Sequence, residues 1–71
     1  MSGQMTIEQL RESSGKSRAR VASDLSMSER HLYRLEKGRS PLRRVIALAL
    51  ANYYDVQLEE IDGIADLGAA A

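Results

Sequence analysis

Residues 17–38 constrain the fold more than any other part of this chain, because they read as two short helices joined by a tight turn. Val21 and Leu25 lie on one face of the first helix, and Leu32 and Leu35 lie on one face of the second. Two amphipathic helices this close in sequence pack against each other, and a short connection holds them at a steep angle. The pattern predicts a helix-turn-helix.

The turn between these helices carries its own start signal. Ser28 is a suitable N-cap, Met27 precedes it, and Leu32 lies four positions beyond it, which is the arrangement of a hydrophobic staple. An alternative stays open, in which Ser26 and Glu29 form a capping box and the helix starts two residues earlier. A second helix placed in this way can enter the major groove of DNA.

The length of 71 residues predicts one small domain. A domain of this size buries only about 60% of its unfolded surface. The chain has no cysteine, so neither a disulfide nor a thiolate metal site is expected, and a cytoplasmic location is the simplest interpretation. No apolar run approaches the ~20 residues needed to span a bilayer, and no signal peptide is apparent.

Charge is unevenly distributed although the net charge is zero. Residues 1–44 hold all ten basic residues and five of the ten acidic ones, which leaves +5, whereas residues 45–71 hold the other five acids and carry −5. A cationic end suits nucleic acid, but solvated faces that happen to segregate by sign would look the same. The asymmetry alone does not decide between these two interpretations.

Local patterns divide the chain into a flexible lead-in over 1–5, a domain over 6–67 and a frayed tail over 68–71. Thr6 and Gln9 have the form of a capping box at the start of the first helix. The helices predicted in the first half of the chain cover residues 7–13, 18–24 and 29–37.

A fourth helix is indicated by Ser40 and Pro41, which supply an N-cap followed by proline at the first helical position. This helix is predicted to run from Pro41 to about Tyr53 and to form the centre of the core. Its predicted apolar face consists of Leu42, Val45, Ile46, Ala49, Leu50 and Tyr53.

The spacing of Leu58, Ile61 and Ile64 suggests a short fifth helix, which Gly63 weakens. No stretch shows the alternation typical of a strand. The sequence therefore predicts an all-α bundle of four or five short helices with the helix-turn-helix at its centre.

The chain offers no machinery for catalysis or for holding a cofactor. It has one histidine, no cysteine, no glycine-rich phosphate loop and no ligands at metal-binding spacing. We expect no enzyme activity, no metal, no cofactor and no small-molecule ligand. His31, in the first turn of the third helix, is interpreted as a residue near the DNA backbone rather than a protonation switch.

The outer face of the third helix is rich in groups that recognise DNA. With Leu32 and Leu35 turned inward, the predicted base-reading residues are Glu29, Arg30, Tyr33 and Arg34. The predicted contacts to the DNA backbone are Arg18, Ser28, His31, Lys37, Arg39, Arg43 and Arg44. A solvated helix face has a similar composition, and the flanking cations favour the DNA interpretation.

An ordered set of residues resembles the Cro/repressor-type (Xre, lambda-repressor-like) helix-turn-helix family over residues 6 to about 62. The matching positions are Leu10-Arg11, Gly15, Ser17, Val21-Ala22, Leu25, Ser28, Leu32, Leu35-Glu36-Lys37-Gly38-Arg39, Pro41, Leu48-Ala49 and Tyr54-Asp55-Val56. The resemblance implies a transcriptional regulator, of phage, plasmid or bacterial type, that binds a palindromic operator in double-stranded DNA as a homodimer.

The resemblance also implies two ion pairs. The family pairs an arginine on the first helix with the glutamate that ends the third, which here are Arg11 and Glu36. Arg18 occupies the family position that braces the first residue of the third helix, so an Arg18–Glu29 pair is expected.

Two departures from the family pattern bear on the turn and on helix two. Ser26 stands where the family usually has glycine, which requires either a negative φ or some strain, and Lys16 stands where many members have an apolar residue. The fold assignment survives these changes, but the operator sequence cannot be transferred from a relative.

Other interpretations of function stay open. The main alternative is a protein-interaction module of the same fold, such as an antitoxin or a regulator that contacts RNA polymerase. RNA binding is weaker, since an A-form major groove is too narrow for a helix.

For the dimer contact, the segment from Tyr54 to Leu67 is favoured because helices two and three are committed to DNA. Leu58, Ile61 and Ile64 either cover the core or meet the partner subunit, and at least two of them are expected in the core. Pairing only on DNA is an open alternative.

Overall fold

A computed structural model describes residues 3–66 as a bundle of four α-helices followed by a 3₁₀ turn. These elements are α1 (Ile7–Ser13), α2 (Arg18–Asp24), α3 (Glu29–Glu36), α4 (Arg44–Tyr54) and the 3₁₀ turn Leu58–Glu60. Outside the helices, this part of the chain contains only two isolated β-bridge pairs. The predicted all-α fold is confirmed, and the predicted tail over 68–71 lies outside the described residues.

Side-chain caps start the first three helices where the sequence predicts. Thr6, Ser17 and Ser28 each accept a hydrogen bond from the backbone N–H three residues later, at 3.0–3.1 Å. Gln9 completes the capping box by accepting the N–H of Thr6 at 2.9 Å. The Ser28 cap also resolves the start of α3, because the alternative beginning at Ser26 would leave Ser28 inside the helix.

The turn between α2 and α3 closes in a Schellman motif, with Ser26 at the position that glycine usually occupies. The N–H of Ser26 donates to the Ser23 carbonyl at 3.2 Å, and the N–H of Met27 donates to the Ala22 carbonyl at 2.9 Å. Ser26 therefore has a φ of 58°. A left-handed conformation costs a non-glycine residue about 1–3 kcal/mol, so the turn accepts strain to keep its geometry.

α4 begins at Arg44 and not at Pro41, so the predicted start is wrong by three residues. Leu42 is instead paired with Ile64 in a parallel bridge, and its carbonyl accepts the N–H of Ala65 at 2.8 Å. The N-cap residue Arg43 makes no capping hydrogen bond with its side chain. The Asp66 carboxylate accepts the N–H of Arg44 instead. The cap of α4 thus comes from a segment distant in sequence.

This arrangement makes Asp66 important for stability. We expect Asp66→Ala to lower the free energy of unfolding by about 0.5–2 kcal/mol, the usual cost of losing a helix cap. Chemical denaturation checks this value. Asp62→Ala removes an exposed carboxylate nearby and is the matched control, and equal effects from both variants would contradict the capping role.

The buried face of α4 is rotated from the predicted one. Ala47, Leu50 and Ala51 are almost completely buried, whereas Val45 is 74% exposed and Ala49 is also exposed. The predictions for Val45 and Ala49 are therefore wrong. The small alanines at 47 and 51 allow α4 to lie close to its neighbours, and this contact outweighs the burial of a larger side chain elsewhere on the helix.

The predicted fifth helix is reduced to the single 3₁₀ turn, and its apolar residues complete the core. Ile61 is fully buried, and Leu58 and Ile64 are partly buried against the core. Met5 pairs with Ile61 in a parallel bridge, which ties the start of the described chain to its end. All three apolar residues of this segment are therefore used inside the protomer.

Candidate nucleic-acid interface

α3 is anchored by one face and presents the other to solvent. Leu32 and Leu35 are 1% and 5% exposed and belong to the core. The outward positions are occupied by the exposed residues Glu29, Arg30, Tyr33, Arg34 and Lys37. The core anchor holds this polar surface on a rigid element, as a site for recognising a macromolecule requires.

The residues predicted to contact the DNA backbone lie in different environments. Arg39, Arg43 and Arg44 are exposed, whereas Arg18 and His31 are half-buried. The Ser28 hydroxyl accepts the His31 N–H as the helix cap and retains its own O–H to donate elsewhere.

A buried carboxylate binds two arginines behind α3. The Glu36 side chain is only 1% exposed and accepts from Arg11 Nε at 2.7 Å and from Arg18 Nε at 3.0 Å. Arg11 also donates to the Lys16 carbonyl at 3.1 Å, and its hydrogen bond to Glu36 is the main cause that raises the pKa of the Arg11 guanidinium. The Arg11–Glu36 pair implied by the family resemblance is present, and Arg18 extends it to a triad that links α1, α2 and α3.

The expected Arg18–Glu29 pair is wrong, because Arg18 is engaged by Glu36. The buried Glu36 carboxylate is a stronger attractor than a solvated one, since less water competes for the guanidinium. Within residues 3–66, Glu29 forms no ion pair and is left at the first position of α3, where the helix dipole favours a negative charge.

Tyr33 lies between two cations on the outer surface of α3. The Arg18 guanidinium is 5.0 Å from the ring centroid, and Lys37 Nζ is 5.9 Å from it. Both distances fall in the range of cation–π attraction. Tyr33 is therefore restrained before any partner binds, and it also helps to position two of the predicted backbone-contacting cations.

Lys37 has a second neighbour that the sequence did not indicate. Its ammonium group lies 3.1 Å from the carboxylate of Glu8 on α1. Glu8 and Lys37 are 29 positions apart, so no helical spacing relates them, and only the packing of α1 near the end of α3 brings them together. A cation predicted to bind phosphate is thus partly neutralised in the free protein.

A second polar cluster links α2 to α4. Asp24 accepts from Arg20 at 3.0 Å and from the Tyr53 hydroxyl, and Lys16 lies 5.7 Å from the Tyr53 ring centroid. The Tyr53 hydrogen bond is the main cause that lowers the pKa of Asp24, followed by Arg20. The neighbouring Tyr54 packs against the core, and burial raises its pKa to about 12.

The described residues offer groups that can bind DNA. Within residues 3–66, no group of three or more potential metal ligands is present, and no buried side-chain nitrogen or oxygen lacks a hydrogen-bond partner. What the surface of α3 offers is a set of exposed guanidinium groups beside further cations. Such a set donates hydrogen bonds to base edges and neutralises phosphates.

Comparison with known proteins agrees with this geometry. A family model described as a helix-turn-helix domain matches residues 5–63, so the chain belongs to that family. The match confirms the resemblance to Cro/repressor-type proteins, and it indicates a DNA-binding protein of a typically non-enzymatic family that regulates transcription.

Searches of curated proteins and of solved structures found no match. Across the described range, none of the helices has both the length and the apolar character needed to cross a membrane.

Proposed function

We propose that this protein is a Cro-like repressor of phage or bacterial type, which acts in the cytoplasm as a homodimer on a palindromic operator. The observation that carries the proposal is the outer face of α3, where Arg30, Tyr33 and Arg34 are exposed while Leu32 and Leu35 hold the helix on the core. A helix held in this way enters the major groove and reads base edges.

Arg30 and Arg34 are the main base-reading residues in this proposal. They are four positions apart, so their side chains lie one above the other on the exposed face of α3. Each guanidinium donates two hydrogen bonds to the O6 and N7 atoms of a guanine. The proposed half-site therefore contains two guanines whose separation matches one turn of the α3 helix.

Glu29 takes a different part because Arg18 is committed to Glu36. An unpaired carboxylate opposes phosphates, so it needs a donor in the complex. The amino group of cytosine is the base-edge donor that a carboxylate accepts in the major groove. We assign Glu29 to a C·G pair next to the guanines read by the arginines.

Selection of bound duplexes from a random DNA pool tests the proposal. Enrichment of a palindrome with guanines in each half-site is the expected result. Failure to enrich any sequence would contradict sequence-specific binding and would favour a protein-interaction module.

Lys37 is expected to bind phosphate rather than bases. Lys37→Ala should weaken binding to all duplexes alike and reduce the slope of log Kobs against log salt by about one unit. A salt titration on the selected duplex and on a scrambled one measures both effects. A change in base preference with an unchanged salt slope would place Lys37 at a base edge instead.

The Glu8–Lys37 pair predicts an effect of opposite sign. Because Glu8 holds the ammonium group that phosphate needs, Glu8→Gln should strengthen binding to every duplex, by less than about 1 kcal/mol or a factor of up to about five. Glu12→Gln removes the same charge from another exposed position of α1 and is the matched control. If both variants strengthened binding equally, the gain would come from the change in net charge and not from the Glu8–Lys37 pair.

A further inference from the structure

α4 carries exposed apolar side chains on the face turned away from the core. Val45 is 74% exposed and Leu48 is 46% exposed, and the third exposed large hydrophobic among residues 3–66 is Tyr33 on α3. Ala49 and Asn52 are exposed beside them, at spacings that place all four on one stripe of the helix. This stripe, called here the α4 stripe, consists of Val45, Leu48, Ala49 and Asn52.

A cleft runs along the same helix beside the α4 stripe. It has a volume of about 450 Å³, and its lining includes Leu48, Asn52, Val56 and Leu58. Arg44, Asp55, Gln57 and Glu59 also line it, so a projecting valine stands next to a cleft with both polar and apolar walls. A surface that offers a projection beside a recess can pair with a copy of itself across a two-fold axis, because each copy fills the recess of the other.

The charges at the two ends of α4 are opposite. Arg44 starts the helix and Asp55 follows its last residue; both line the cleft together with Glu59 of the 3₁₀ turn, and all three are exposed. Two parallel copies of α4 would bring like charges together. Two antiparallel copies place Arg44 of each protomer against Asp55 and Glu59 of the other, which fixes the orientation of the pair.

We propose that the α4 stripe is the dimer interface, with α4 packed antiparallel against α4 of a second copy of this chain. The inference deepens the proposed function, since it rests on the homodimer that a palindromic operator requires. It moves the main contact from the segment Tyr54–Leu67 to α4, because Leu58, Ile61 and Ile64 are packed on the core, and it keeps only the cleft-lining residues 55–59 of that segment at its edge. It also assigns Arg44 to the interface and leaves Arg43 for phosphate.

The size of the α4 stripe sets the strength of this dimer. The 11 residues of α4 span about 16 Å, and only one stripe of them is available. Stable interfaces bury roughly 800 Å² on each partner, which is more than one stripe of a short helix supplies. The free protein is therefore largely monomeric, and adjacent half-sites drive its pairing by raising the local concentration.

Cysteine cross-linking tests the contact directly, because the natural chain has no cysteine. Leu48 lies near the middle of α4, where an antiparallel pair brings equivalent positions together. Under mild oxidation, Leu48→Cys should form a disulfide-linked dimer at high protein concentration, and at lower concentration on a duplex carrying two selected half-sites. Ser13→Cys, at an exposed position on α1, is the matched control and should stay monomeric. Equal cross-linking of both variants, or none in Leu48→Cys, would overturn the proposal.

A charge exchange tests the antiparallel orientation. Arg44→Glu should weaken self-association in sedimentation, and adding Glu59→Arg should restore it, because the exchange recreates the attraction with the signs reversed. Val45→Glu should weaken binding to two half-sites by about tenfold or more while leaving binding to one half-site unchanged. Thermal unfolding of each variant shows that the protomer is intact.

The outcomes separate this inference from the proposed function. Cross-linking through Leu48 without enrichment of any DNA sequence would overturn the operator function and leave the dimer. Cooperative binding of Val45→Glu to two half-sites would overturn the α4 interface and leave the operator function.

Discussion

Glu36→Gln should lower the free energy of unfolding by about 3–5 kcal/mol, because it leaves two arginines without the carboxylate that they surround. The Arg11 and Arg18 side chains are only 10% and 24% exposed, so water replaces Glu36 as their partner only in part. Small domains are stable by as little as about 5 kcal/mol, so this loss removes most of the margin. The midpoint of thermal unfolding should fall by roughly 12–40 °C, at about 4–8 °C per kcal/mol for a domain of this size.

The matched control is Glu59→Gln, which removes the same charge from an exposed position and should shift the midpoint by very little. A double variant carrying Arg11→Gln and Glu36→Gln should cost less than the sum of the single variants, since each change removes the same interaction. A fall of only a degree or two in the unfolding midpoint of Glu36→Gln would show that the triad contributes little to stability. Glu36→Gln should also weaken DNA binding, because Arg18 then loses the partner that holds its guanidinium.

The second large effect is expected at the bases. Arg34→Ala and Arg30→Ala should each lose about 1–3 kcal/mol of discrimination at one guanine of the half-site. The loss should be confined to that base pair, because the missing hydrogen bonds go to its O6 and N7 atoms alone. Competition against duplexes carrying every base at each half-site position measures the effect.

Lys37→Ala is the control for this experiment, since a lost phosphate contact weakens all of these duplexes alike. Uniform weakening by Arg34→Ala would contradict base reading and move Arg34 to the DNA backbone. Glu29→Ala belongs in the same series: relaxed preference at one C·G pair would support its assignment to cytosine. Tighter binding to every duplex would show that Glu29 only opposes phosphate.

The first three helices can be predicted from the sequence, because their signals are local. Thr6, Ser17 and Ser28 satisfy backbone N–H groups three residues away, and Gly38 ends α3 with a φ of 73°. Caps of this kind depend on neighbours along the chain, so they can be read before the fold is known. The outward face of α3 followed in the same way, once Leu32 was placed in the core.

The start and the rotation of α4 depend on contacts with distant parts of the chain. Ser40 and Pro41 form a good local start signal, yet Leu42 is paired with Ile64 and Asp66 caps the helix. These partners are 22 residues distant in sequence, and no periodicity within the helix encodes them. Free energy gained from a distant segment outweighed the preference of the local sequence.

Which charges pair also depends on tertiary contacts. Arg18 was expected to pair with Glu29, but in the folded chain it pairs with Glu36. The buried Glu36 carboxylate attracts a guanidinium more strongly than the solvated Glu29 carboxylate does. Glu8 reached Lys37 only because α1 packs near the end of α3. Periodicity and caps act along the chain and are visible in it, whereas ion pairs and exposed stripes depend on distances that exist only after packing.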